Sequence, residues 1–215
     1  MGSRGEKEIL HKSFSSRKLI YLITRGEATV KNFPEKSAEI LRIIEAAVRA
    51  EISFIQIREK QLSARFAYEL TEKAARLVRN SQTKILVNDR ADIAFSAGAD
   101  GVHLTSLSLS AETIRRSFPK DFIVGVSTHT IDEAVSAKRQ GADFITFSPI
   151  FRSPNKGEPL GLDELKKACA RLKPFPVVAL GGVDETNYRE VLPIADGFAA
   201  IRFLNDEAHL PELEW

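Results

Sequence analysis

Sulfur is nearly absent from this chain, which has one cysteine and one methionine in 215 residues. A single cysteine, Cys169, rules out any disulfide within the chain, and its setting in DELKKACARL marks it as a small packing residue on a helix. Long apolar runs are missing too. Nowhere do 18 apolar residues follow one another, and the opening segment MGSRGEKEILHKSFSSRK carries charges throughout, so no spanning helix or secretory signal is expected and the cytoplasm is the expected compartment. Nor does one sign of charge dominate. The 31 Lys and Arg residues stand against 29 Asp and Glu, a net of +2, which leaves no electrostatic footprint for nucleic acid or an anionic membrane. Nothing in the composition excludes a homo-oligomer.

What is present is a regular alternation. Short apolar runs recur at LIYLIT (19–24), SFIQIR (53–58), KILVN (84–88), DGVHL (100–104), FIVGVS (122–127), DFITFS (143–148), PVVALGG (176–182) and DGFAAIR (196–202). Between them, residues 35–50, 64–80, 131–140 and 162–172 repeat apolar side chains at three- and four-residue spacing, as amphipathic helices do. Strands alternating with helices imply parallel strands joined by crossovers. Eight strand candidates in this length predict an α/β (β/α)8 TIM barrel with a shortened C-terminal end, occupying residues 18–215 as one domain after an N-terminal arm or short helix over 1–17. Three strands are entered by a common signal, Gly98-Ala99-Asp100, Gly141-Ala142-Asp143 and Ile194-Ala195-Asp196, which supports a closed, repeating architecture. A doubly wound open sheet is the alternative, but its GxGxxG fingerprint does not follow the first strand. Only FLNDEAHLPELEW follows the eighth run, too short for a full closing helix, and Trp215 is a candidate cover for that end.

Barrel enzymes carry their sites at the C-terminal ends of the strands, so polar residues there are candidate ligand contacts. In SFIQIREK, side chains alternate between faces, placing Gln56, Arg58 and Lys60 together and Glu59 with Ile55 and Ile57. The next strand ends Asn88-Asp89. Asp89 either caps the following helix or offers a hard oxygen ligand to Mg2+, which takes one or two carboxylates plus substrate phosphates. After the sixth strand, Ser153, Asn155 and Lys156 lie in a Pro/Gly-bearing loop suited to a phosphate, and Gly181-Gly182 ends the seventh strand where such barrels often bind one.

Taken in order, IQIREK (55–60), ILVNDRADIA (85–94), GADGVHL (98–104), GVSTHT (125–130), SPIFRSPNK (148–156) and VVALGGV (177–183) resemble the thiamine-phosphate synthases and their relatives, the TenI-type thiazole tautomerases. The resemblance covers roughly residues 18–205. It implies a Mg2+-dependent transferase of thiamine biosynthesis, acting on a phosphorylated pyrimidine and a phosphorylated thiazole. Hydroxymethylpyrimidine diphosphate and hydroxyethylthiazole phosphate would give thiamine phosphate and pyrophosphate. By position, Gln56, Arg58, Lys60 and Asn88 match pyrimidine-diphosphate contacts, and Asp89 matches a magnesium ligand. Ser127 and Lys156 match groups on the diphosphate, while Gly182 and the backbone at Ile201 match the thiazole-phosphate site.

The departures from that pattern are local. Ser108 stands where the family carries its second metal carboxylate, and Ser153-Pro154-Asn155-Lys156 replaces Thr-Pro-Thr-Lys. Ser148 replaces a glycine, and Arg202 replaces a serine at the phosphate end. His129 matches a histidine implicated in proton transfer in the tautomerases, while His103, inside an apolar strand, reads as a hydrogen-bonded structural residue. A TenI-type tautomerase and a non-catalytic phospholigand-binding barrel therefore stand as alternatives to the synthase.

Overall fold

In the computed structural model, all eight apolar runs become strands, each within a residue or two of its expected limits. The structure describes residues 17–154 and 156–210; most of the expected arm over 1–17, Asn155 and Trp215 lie outside the described residues. Strands β1 (Leu19–Ile23), β2 (Phe54–Ile57), β3 (Lys84–Asn88), β4 (Gly101–Leu104), β5 (Ile123–Thr128), β6 (Phe144–Phe147), β7 (Val177–Leu180) and β8 (Gly197–Ala200) pair in parallel with their neighbours, and β8 closes on β1. The architecture is a (β/α)8 barrel.

Helices α1 (Phe33–Arg49), α2 (Ala64–Val78), α3 (Ala91–Ser96), α4 (Ala111–Ser117), α5 (Ile131–Arg139), α6 (Gly161–Leu172) and α7 (Tyr188–Val191) follow the first seven strands, and a 3-10 turn at Phe203–Asn205 follows the eighth. The four long or regular helices are those whose periodicity is visible in the sequence. The other three have one or two turns, too few to repeat an apolar face. Ser63, Ser110 and Thr130 start α2, α4 and α5, their hydroxyls accepting from the amides of Phe66, Thr113 and Glu133.

Period-two alternation sorts the strand residues into two cores. Outward side chains such as Ile55, Ile57, Ile85 and Val87 pack beneath the helices. Inward ones, including Tyr21, Phe54, Leu86, Ile123, Phe144 and Val178, fill the barrel. Phe54 and Phe144 stack with centroids 5.0 Å apart, and the ring of Tyr21 meets both edge-on at 5.6 and 5.7 Å. This plug closes the barrel below the site.

The repeated aspartates have a mechanical role. Asp100, Asp143 and Asp196 each precede an even-numbered strand, and their carboxylates accept from an amide in the first two residues of the strand before, Ile85 N at 2.9 Å, Val124 N at 2.8 Å and Val177 N at 2.8 Å. Ser53, ahead of β2, does the same with its hydroxyl for Ile20 N at 3.2 Å. The fourth member of the set escapes a search for Ala-Asp because a hydroxyl suffices as acceptor.

Candidate active site at the C-terminal mouth

A cavity of about 760 Å³ opens at the C-terminal ends of the strands. Gln56, Arg58 and Lys60 all line it, as the alternation in SFIQIREK requires. Glu59 turns the other way. Its buried carboxylate accepts from Gly26 N at 3.0 Å and Ala28 N at 2.7 Å, clamping the loop after β1 to the end of β2. Arg58 is held at its backbone, its amide donating to Thr24 Oγ1 at 2.9 Å, so its guanidinium starts from a fixed origin.

Polar groups continue around the wall. Gln56 Nε2 donates to Asn88 Oδ1 at 2.9 Å, and Asn88 Nδ2 donates to Asp89 Oδ2 at 2.7 Å. Asp89 occupies the left-handed region with φ of 60°, a conformation that costs a non-glycine residue about 1 kcal/mol or more. Asp89 does not cap the following helix as one sequence reading has it: the residue at the N-terminus of α3 is Arg90, and among the described residues no side chain caps that helix. The Asp89 carboxylate instead reaches across to the loop after β4. Its Oδ1 accepts from Thr105 N at 3.2 Å, Thr105 Oγ1 at 3.1 Å and the hydroxyl of Ser108. Asp89 and Ser108 are thus brought together at the edge of the cavity rather than among its lining residues, and Thr105 belongs to both.

Across the mouth, Ser127 is the penultimate residue of β5 and lies against His103, whose Nε2 is 2.9 Å from Ser127 Oγ. Burial pushes the pKa of His103 down to about 4, with the Asp89 charge opposing more weakly, so the ring is neutral near pH 7. His129 Nδ1 donates to the Ser148 carbonyl oxygen at 2.8 Å, which fixes its tautomer and leaves Nε2 as the bare nitrogen when the ring is neutral. The Gly181-Gly182 pair explains itself by packing. Both residues have positive φ, 95° and 69°, and a Cβ on them would stand 2.7 Å from Pro149 Cα and 2.6 Å from the Arg152 carbonyl oxygen. The glycines seat the loop after β6, which brings Arg152, Ser153 and Lys156 to the cavity.

Six cationic side chains line this mouth: Arg25, Arg58, Lys60, Arg152, Lys156 and Arg202. Among the described residues none of the six forms an ion pair, whereas ten other Lys and Arg residues do. Unneutralised cations around a concave site favour a polyanionic ligand. Arg25 and Arg152 are not among the residues the sequence motifs single out, although Arg25 lies just past the first strand, where the barrel rule marks a site residue. Ile201 and Arg202 reach the site from the end of β8, and Asp206 and His209 from the segment beyond. The thiol of Cys169 stays outside it, pushed up to about 12 by burial, and is an inert packing group.

Residues 20–204 match the thiamine monophosphate synthase family. A putative thiamine-phosphate synthase of Geobacter sulfurreducens is 39% identical over 170 residues, 78% of each chain. A thiamine-phosphate synthase of Caldanaerobacter subterraneus subsp. tengcongensis is 35% identical, covering 80% of this chain and 81% of its own. Among solved structures, the thiamine phosphate pyrophosphorylase from Pyrococcus furiosus superposes with a TM-score of 0.75 at 27% identity, over 90% of this chain and 93% of that one.

Proposed function

The chain belongs to the thiamine monophosphate synthase family, and we propose that its barrel mouth joins hydroxymethylpyrimidine diphosphate to hydroxyethylthiazole phosphate, giving thiamine phosphate and pyrophosphate. The observation that carries this reading is the ring of six cations around one cavity, none of them ion-paired among the described residues, with hydrogen-bonding groups at its wall. In the reaction, the bond between the pyrimidinylmethyl carbon and the diphosphate oxygen breaks, and pyrophosphate leaves with the electron pair. The thiazole nitrogen then donates its lone pair to the carbocation. No proton moves at that nitrogen, so no general base is required.

What the side chains contribute is charge and placement. Arg58, Lys60 and Lys156 face the departing diphosphate, Ser127 supplies a hydroxyl to it, and the coupled amides of Gln56 and Asn88 hold the pyrimidine edge. Ser153, Gly182, the Ile201 backbone and Arg202 receive the thiazole phosphate, with His129 beside the Ser148 carbonyl. Arg202 adds a cation where the family resemblance implies a serine.

The donor set at Asp89 fits Mg2+ as a one-carboxylate site: a hard carboxylate flanked by the Thr105 and Ser108 hydroxyls, with the substrate diphosphate completing the coordination. Among the described residues no three His, Cys, Asp or Glu side chains converge into a metal cage, so Asp89 is the one carboxylate this proposal uses. When bound there, Mg2+ would neutralise charge on the leaving group.

The test is product formation from both phosphorylated substrates, with Mg2+ and with excess chelator. Metal-dependent thiamine phosphate is expected, and Arg58→Ala should lower kcat/KM by more than about tenfold. Absence of product from folded protein would overturn the reading.

A further inference from the structure

Below Ser127 lies a buried chain of polar atoms that the reaction as described does not use. The hydroxyl of Tyr21, on β1, is 3.1 Å from His103 Nδ1 on β4, and His103 Nε2 is 2.9 Å from Ser127 Oγ on β5. Tyr21 is fully buried and His103 is 1% exposed. Phe54 and Phe144 pack against Tyr21, and Phe144 also faces the imidazole at 6.0 Å. Gly125 provides the room, since a Cβ there would lie 2.5 Å from the Phe144 ring and 2.8 Å from His103 Nδ1.

We propose that Tyr21 and His103 are positioning residues that hold the Ser127 hydroxyl as a hydrogen-bond donor pointing into the mouth, toward the leaving diphosphate. The proposal rests on the synthase reading for the identity of the anion. The proton count carries the rest. The ring is buried against aromatic rings with no carboxylate touching it among the described residues, which disfavours the cation and leaves one N–H. If that proton were on Nδ1, it would be given to the Tyr21 oxygen, and the Tyr21 O–H would have no acceptor among the described residues inside an aromatic shell. With the proton on Nε2, the Tyr21 O–H donates to bare Nδ1 and both buried donors are satisfied. His103 Nε2–H then donates to Ser127 Oγ, and Thr146 Oγ1 donates to the same oxygen across a long 3.5 Å. A hydroxyl has two acceptor positions and one proton. With both acceptor positions taken from below, the Ser127 proton is left for the cavity, which Ser127 and His103 both line. A phenol at the centre of the barrel thereby sets the polarity of a hydroxyl at its mouth.

The direct test is the 15N spectrum of the histidine rings in the intact protein at neutral pH, where a protonated ring nitrogen and a bare one resonate far apart. His103 is expected as the Nε2–H tautomer; an Nδ1–H ring, or one protonated on both nitrogens, overturns the proposal without any reference to activity. The functional test is calorimetry with inorganic pyrophosphate and Mg2+ on the wild type, Tyr21→Phe, Ser127→Ala and the double variant. Each single substitution should weaken binding by about fivefold or more, as loss of one oriented hydrogen bond does. In the Ser127→Ala background, Tyr21→Phe should add nothing, because its effect passes through Ser127. Additive losses overturn the relay. Wild-type affinity in Ser127→Ala removes the diphosphate contact itself and so counts against the synthase assignment of Ser127, a failure that leaves the histidine spectrum as expected.

Discussion

The hydroxyl of Ser108 donates to the carboxylate of Asp89, closing a contact between the ends of β4 and β3 at the edge of the site. Relatives are expected to hold a second carboxylate at this position, and two adjacent anions need a cation between them. A serine makes the pair stable on its own terms, with charge on one side only.

Ser108→Asp should therefore shift the site toward dependence on metal. In the presence of pyrophosphate, Mg2+ affinity is expected to rise by about tenfold, since affinity at such sites follows ligand charge. Without metal the variant should melt at a lower temperature than the wild type, because the two carboxylates repel. Titration calorimetry and thermal melts with and without Mg2+ check both parts; an unchanged Mg2+ affinity would place the metal away from Asp89.

The aspartate latches lie at the opposite end of the barrel from the cavity, so stability and catalysis should separate there. Asp196→Ala removes the acceptor for Val177 N and is expected to cost about 1 kcal/mol or less, because Asp196 is exposed and water can replace it. The urea midpoint should fall while KM for both substrates stays within about twofold. A changed KM with an unchanged midpoint would contradict the latch.

Acid should unfold this protein partly through His103. Its pKa is about 4 in the fold, where burial disfavours the cation, and about 6.5 when the chain is unfolded. Between those values the unfolded state binds the extra proton, so stability is full above pH 6.5 and declines as pH falls toward 4, by up to roughly 3 kcal/mol. Urea midpoints measured from pH 7 to 4 should show this decline. His103→Gln, which has no proton to gain, should flatten that part of the curve, and an equally steep decline in the variant would assign it to other groups.

Gln56, Arg58 and Lys60 illustrate what local rules make legible. Alternation along a strand puts them on one face, and the strand-end rule puts that face at a site, so the sequence was sufficient to bring them together. Eight apolar runs with helical spacers likewise determined parallel strands joined by crossovers, while the pairing of β8 with β1 that closes them into a barrel belongs to the tertiary structure. The short helices α3, α4 and α7 are too brief to show a periodicity, and Arg25 is marked by its place after the first strand alone.

Contacts between chain-distant side chains belong to the tertiary structure alone. That Asp89 leaves its helix uncapped and turns to Ser108, that Gly182 seats the loop after β6, and that Tyr21 reaches Ser127 through His103 all depend on which strands become neighbours and how far each is staggered. Periodicity specifies the face a side chain occupies. Register and barrel closure decide which atom it meets, and hydrogen bonds, with a tolerance of a few tenths of an ångström, exist only once those are set.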